Sequence, residues 1–159
     1  MLHVTSAREE GGGFTSTEVD NETWIINEIY NINVKRSNSF AGCLQPAFHL
    51  LDEEKQIIIL KYPIQEWQRS LYGNVSSLIV DSMIKLSMGL AVSCFSGRRI
   101  PITITGYTEF KRRVIAGDFV VVETAISSVG QNSASAMSFF YDTENGKVAA
   151  KANGMFRLA

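Results

Sequence analysis

The chain has 159 residues, 45% hydrophobic and 10% aromatic, enough to close one well-cored domain and too few for two. Lys and Arg number 15 against 16 Asp and Glu, and the net charge of −1 excludes a general electrostatic pull toward nucleic acid or an anionic membrane surface. The cysteines, Cys43 and Cys94, form no C-x-x-C pair and the histidines are scattered, so no metal site is expected and a reduced, cytoplasmic setting fits best.

Residues 1–20 are polar and glycine-rich around Gly11-Gly12-Gly13, which predicts a flexible lead, with a single folded domain over 21–159. The lead lacks a charged n-region, a continuous apolar h-region and a small-residue cleavage pattern, so secretion is not expected. Trp24, Ile25, Ile29 and Tyr30 recur near helical spacing and predict a short packing helix capped by Asp20 or Asn21. Residues 45–51 and 56–62 are rich in β-favouring side chains and flank Asp52-Glu53-Glu54-Lys55, which predicts a hairpin whose second strand Pro63 ends. His49 falls in the alternation of the first strand and reads as a sheet histidine with a hydrogen-bond partner.

The longest apolar run, Val75 to Phe95, approaches membrane length but carries Asp81, Lys85 and several serines. Each central charge costs about 2.5–3.5 kcal/mol on insertion scales, so a buried helix is expected instead. With Val75, Leu78, Ile79, Met83, Leu86, Leu90 and Val92 distributed round it, that helix needs cover on most of its surface, which a curled sheet supplies. Gly97-Arg98-Arg99 breaks the chain, and β-rich segments follow near 101–112, 118–128, 133–143 and 147–158. Turns at Ala116-Gly117-Asp118, Gly130-Gln131-Asn132 and Asn145-Gly146 join them into an expected antiparallel meander, giving an α+β class.

The stretch from Leu71 to Asp81 is where chemistry is expected. A glycine turn there opens the long helix, whose unpaired N–H groups and positive dipole end suit a polarised carbonyl oxygen, and Asp81 stands about two turns in. The same residues admit a plainer account: Asp81 and Lys85 as an exposed i,i+4 ion pair worth about 0.3–0.5 kcal/mol, Gly73 as a tight entry turn, and Asn74 as a cap. Lys111-Arg112-Arg113 offers paired donors to phosphate oxygens, or else a solvated basic edge. Tyr62 and Trp67 flank the turn and read as core closure.

Three segments, LYGN-VSSLIVD, EFKRRVIAGD and FYDTENGKVAAKANGMFRL, resemble the hotdog fold and, within it, acyl-CoA thioesterases of the phenylacetate-pathway and 4-hydroxybenzoyl-CoA type, over about Cys43 to Leu158. The resemblance implies an antiparallel sheet wrapped around one long central helix, and a homodimer or dimer of dimers. It also implies hydrolysis of an acyl-CoA or acyl-carrier-protein thioester to free acid and thiol, with coenzyme A as part of the substrate and no cofactor. By the same resemblance Asp81 is base or nucleophile, the amides of Gly73 and Asn74 receive the thioester oxygen, Gln68 positions water, and Thr103 or Thr105 assists across the dimer interface. Arg112 and Arg113 would then meet coenzyme A phosphates. The chain departs from the family pattern at Tyr72, which stands at the usual histidine and offers a hydroxyl in its place, and at Asn74, which stands at the second glycine. Those departures also fit a non-catalytic acyl-thioester sensor. A hydroxyacyl-thioester dehydratase would need an H-F-P-G-like segment, which is absent.

Overall fold

The computed structural model describes residues 19–142 and 146–159, so nearly all of the expected lead lies outside the described residues. Asp20 Oδ1 accepts from the Thr23 amide at 2.7 Å and so caps helix α1, Asn21–Tyr30, which continues through a π-helical turn over Asn31–Lys35. Its spacing buries Ile25, Ile29 and Ile32, while Tyr30 faces solvent. A short helix α2, Phe40–Leu44, leads into strands β1, Ala47–Asp52, and β2, Ile57–Pro63, the expected hairpin. His49 lies within β1 as expected, but a bulge between Phe48 and Leu50 leaves it exposed and out of register, with no side-chain hydrogen bond among the described residues.

Helix α3 spans Ser77–Phe95 and begins two residues later than its apolar run, because Ser76 Oγ accepts from the Leu78 amide and sets the start. Asn74 is therefore not the cap, and Asp81 lies just over one turn in. Ile79, Val80, Met83, Ile84, Met88, Ala91 and Val92 are buried against the sheet. Leu78, expected in the core, is 76% exposed because the first turn of α3 projects at an open groove.

Strands β3, Pro101–Phe110, β4, Phe119–Val129, β5, Ser133–Asp142, and β6, Lys147–Leu158, complete one antiparallel sheet in the order β1-β2-β4-β5-β6-β3. Only β4, β5 and β6 form a meander. Strand β3 pairs with β6, and the backbone pair between Ile100 and Ala159 starts that ladder. The chain then returns across the start of α3 before entering β4, where the Val114 carbonyl accepts from the Val75 amide at 2.9 Å. Residues 111–118 are thus a crossing segment.

The inner sheet face supplies Ile58, Leu60, Tyr62, Val120, Val122 and Phe140 to the core. The Tyr62 hydroxyl donates to the Met83 carbonyl at 3.2 Å and lies 2.8 Å from Ser87 Oγ, satisfying a buried polar group under α3. At the far end of α3, Arg98 sits at φ +72 and donates to Asn21 Oδ1 at 2.6 Å, the Cys94 carbonyl at 2.8 Å and the Val19 carbonyl at 2.6 Å. Its guanidinium lies 4.9 Å from the Trp24 ring centre, so one side chain ties α1 to the end of α3.

Candidate active site

The turn before α3 is built by its own short-range bonds. The Ser70 amide donates to the Asn74 carbonyl at 2.7 Å, the Gly73 amide donates back to the Ser70 carbonyl at 3.1 Å, and Gly73 takes the left-handed φ of +85 that this geometry requires. The Gly73 N–H is therefore occupied within the turn, whereas the Asn74 and Ser77 amides have no intrachain acceptor among the described residues. The Asn74 side chain is held locally, accepting from Ser70 Oγ at 2.9 Å and donating to the Val75 carbonyl at 3.2 Å. Tyr72 is 82% exposed and does not line the groove that holds Asp81.

Two guanidinium groups clamp this turn to the crossing segment. Arg69 donates to the carbonyls of Gly73 at 3.3 Å and Ala116 at 3.1 Å, and Arg113 donates to the Tyr72 carbonyl at 3.2 Å. Arg112 pairs with the buried Asp142 at 2.8 Å and donates to the Lys147 carbonyl at 3.0 Å, fixing the crossing segment to the end of the β5–β6 hairpin. Neither Arg112 nor Arg113 lines the groove, and each guanidinium donates to protein groups. Gln68 is fully buried: its Oε1 accepts from the Gln65 amide at 2.9 Å, its carbonyl accepts from the Ser76 amide at 2.9 Å, and its Nε2 has no acceptor among the described residues.

Asp81 stands in a groove of about 300 Å³ between the start of α3 and the edge strand β3, with Ser77, Leu78, Lys85, Gly106, Thr108 and Phe110 around it. Lys85 Nζ reaches its Oδ2 at 2.8 Å, and Thr108 Oγ1 donates to its Oδ1 at 2.6 Å. Partial burial pushes the carboxyl pKa up, but the hydrogen bonds from Lys85 and Thr108 and the Lys85 charge outweigh it, holding Asp81 below the usual carboxylate value. It is an ionised carboxylate at neutral pH with one lone pair still open on each oxygen.

Thr108 is the site residue that the sequence did not single out. Thr103 and Thr105 instead line a narrow cavity that adjoins this groove between α3 and β3, with a bulge between them that alters which side chains face the helix. The only signal for Thr108 was its place on the strand after the helix, and the bulge made its facing unreadable without the pairing register.

No protein-family profile matches the chain, and no curated protein sequence does. Solved structures do. Zebrafish thioesterase superfamily member 2 superposes with a TM-score of 0.77 at 11% identity, over 89% of this chain and 99% of that one. A variant of the phenylacetic acid degradation protein PaaI from Thermus thermophilus gives 0.64 at 14% identity, over 74% and 96%. A Streptococcus mutans protein bound to acetyl CoA gives 0.64 at 11% identity, over 72% and 88%. At such identities the likeness speaks to architecture, and with the six-stranded antiparallel sheet packed on α3 it shows that this chain has the hotdog fold of thioesterase-superfamily structures.

Proposed function

We propose that the chain is a thioesterase that hydrolyses an acyl-CoA or acyl-carrier-protein thioester, with Asp81 as the carboxylate that activates water. The observation that carries this is an ionised carboxylate, fixed by donors on both oxygens, in an open groove beside the start of α3. Thioesters suit such a site because sulfur donates little resonance to the carbonyl, which is already electrophilic. In the proposed step the water oxygen bonds to the carbonyl carbon as Asp81 takes its proton. The oxyanion that forms is received by the Asn74 and Ser77 amides, a donor arrangement in which each member is worth about 10²–10³ in turnover. The carbon–sulfur bond then breaks with its electron pair on sulfur, and the proton on Asp81 passes to the thiolate, leaving free acid and thiol.

A homodimer, or a dimer of dimers, completes this proposal. Eight of the ten β3 residues are exposed, among them Ile102, Ile104, Tyr107 and Phe110, and the outer edge of β3 carries no strand among the described residues. Pairing of β3 with β3 of a second copy would cover that edge beside the Asp81 groove. Under this reading Thr108, rather than Thr103 or Thr105, orients the carboxylate, and Gly73 shapes the turn that presents the Asn74 amide. Tyr72 and Gln68 contribute through the turn's shape.

The second reading, an acyl-thioester sensor without turnover, is favoured by two specific features: the outward Tyr72 at the position of the family's histidine and the occupied Gly73 amide. Free-thiol release from a panel of short, long and aromatic acyl-CoAs separates the two. Release that falls by about 10²–10⁴ in folded Asp81→Ala and Asp81→Asn variants supports the hydrolase. Binding of acyl-CoA with no release, unchanged by those substitutions, overturns it in favour of the sensor.

A further inference from the structure

The groove at Asp81 does not end there. It shares Lys85, Gly106 and Thr108 with a narrow cavity between α3 and β3, whose further lining includes Met88, Gly154 and Phe156. That inner cavity measures about 10 Å³. A single water needs about 10–15 Å³, so the cavity has room for one water at most and for no acyl chain.

Two glycines explain what fills it. Gly106 on β3 and Gly154 on β6 are direct cross-strand partners, which leaves a patch of the sheet under α3 without side chains. A methyl on Gly106 would lie 3.6 Å from Lys85 Cε, and one on Gly154 would lie 2.9 Å from Met88 Sδ. The missing methyls let two long side chains of α3 settle onto the strands. Lys85 does so at the boundary with the outer groove, where its ammonium reaches Asp81, and Met88 does so one turn further in, where its sulfur and the Phe156 ring both lie over Gly154.

A thioester with its carbonyl at Asp81 has two arms. The thiol arm carries a large, polar carrier and must remain where the groove opens to solvent, at Ser77, Leu78 and Phe110. The acyl arm then takes the closed direction. We propose that Met88, seated over Gly154, is a specificity-determining plug that confines the site to short acyl groups of acetyl to butyryl size. This inference rests on the thioesterase reading above.

The test is thiol release from acetyl-, butyryl-, octanoyl- and palmitoyl-CoA by the full chain, beside Met88→Ala, the milder Met88→Val and the volume-conserving Met88→Leu, with folding checked by thermal unfolding. The parent should favour butyryl- over octanoyl-CoA by at least about tenfold in kcat/KM, the scale on which a pocket discriminates between chain lengths. Met88→Ala and Met88→Val should shift that ratio toward octanoyl by a similar factor, and Met88→Leu should preserve it. Release from the parent that is level across chain lengths, or a ratio unmoved in folded Met88→Ala and Met88→Val, overturns the plug while leaving the hydrolase standing. Absence of release from every substrate overturns the hydrolase, and the plug with it.

Discussion

Gly154→Ala is the substitution whose outcome follows most directly from packing. The added methyl would sit 2.9 Å from Met88 Sδ and 3.2 Å from two ring atoms of Phe156, with Met88 2% and Phe156 4% exposed. Carbon contacts at their optimum are about 3.5–4.0 Å, so the methyl overlaps three atoms at once, and neither buried side chain has solvent to swing into. Overpacking of this kind costs about 1–3 kcal/mol. Met88→Ala on its own empties a buried site and costs about 2–5 kcal/mol. In the double variant the methyl of the new alanine enters space that the sulfur has left, so the two changes should compensate by about 1–2 kcal/mol relative to their sum. Urea unfolding of the four proteins, with equal m-values required for the comparison, measures each term. Additivity within about 0.5 kcal/mol, or a Gly154→Ala protein as stable as the parent, would refute the claim that Gly154 is small because Met88 lies on it.

Thr108→Val removes the donor to Asp81 Oδ1; loss of one hydrogen bond to a charged group, about 1.5–3 kcal/mol, should raise the Asp81 pKa toward its ordinary value and lower kcat/KM by one to two powers of ten. The carboxyl titration, followed by NMR with pH, checks the first half independently of turnover. The depressed pKa of Asp81 means that its pairing stabilises the fold fully above the ordinary carboxyl value of 3.8 and that this contribution is lost as pH falls through the lower folded value. The stability difference between the parent and Lys85→Met should therefore be level from pH 7 to pH 5 and shrink below 3.8, measured as urea midpoints across that range. Arg112→Gln should cost about 1.5–3 kcal/mol through its bonds to Asp142 and the Lys147 carbonyl, while leaving the salt dependence of coenzyme A binding unchanged in titration calorimetry.

The sequence made the long helix and most strands readable because their signals are local. A long, predominantly apolar run from Val75 to Phe95 announces α3, and Gly130-Gln131-Asn132 marks the joint between two β-rich runs that do pair. Asp81 was readable too, as the first charge inside that run. What escaped depends on contacts between residues far apart in the chain. The pairing of β3 with β6 joins residues such as Pro101 and Leu158, and no periodicity within either strand announces it. Thr108 cannot be told from Thr103 and Thr105 by alternation alone, because the bulge between those two changes the facing of the strand. The partner of Arg112 is equally hidden, because Asp142, 2.8 Å away, lies 30 residues along the chain. Leu78 fits an apolar helix face, and only the end of the sheet leaves it in solvent.

The Arg98 tie has a consequence for how the molecule breathes. Because a single guanidinium holds the Val19 carbonyl, the Asn21 side chain and the Cys94 carbonyl while stacking on Trp24, α1 is unable to lift away without also releasing the last turn of α3. The two should open together as one cooperative unit in native-state hydrogen exchange, with a shared opening free energy below that of the central strands. The indole of Trp24 would report that same event by fluorescence, at the end of α3 opposite to Asp81, so this corner can loosen while the groove keeps its shape.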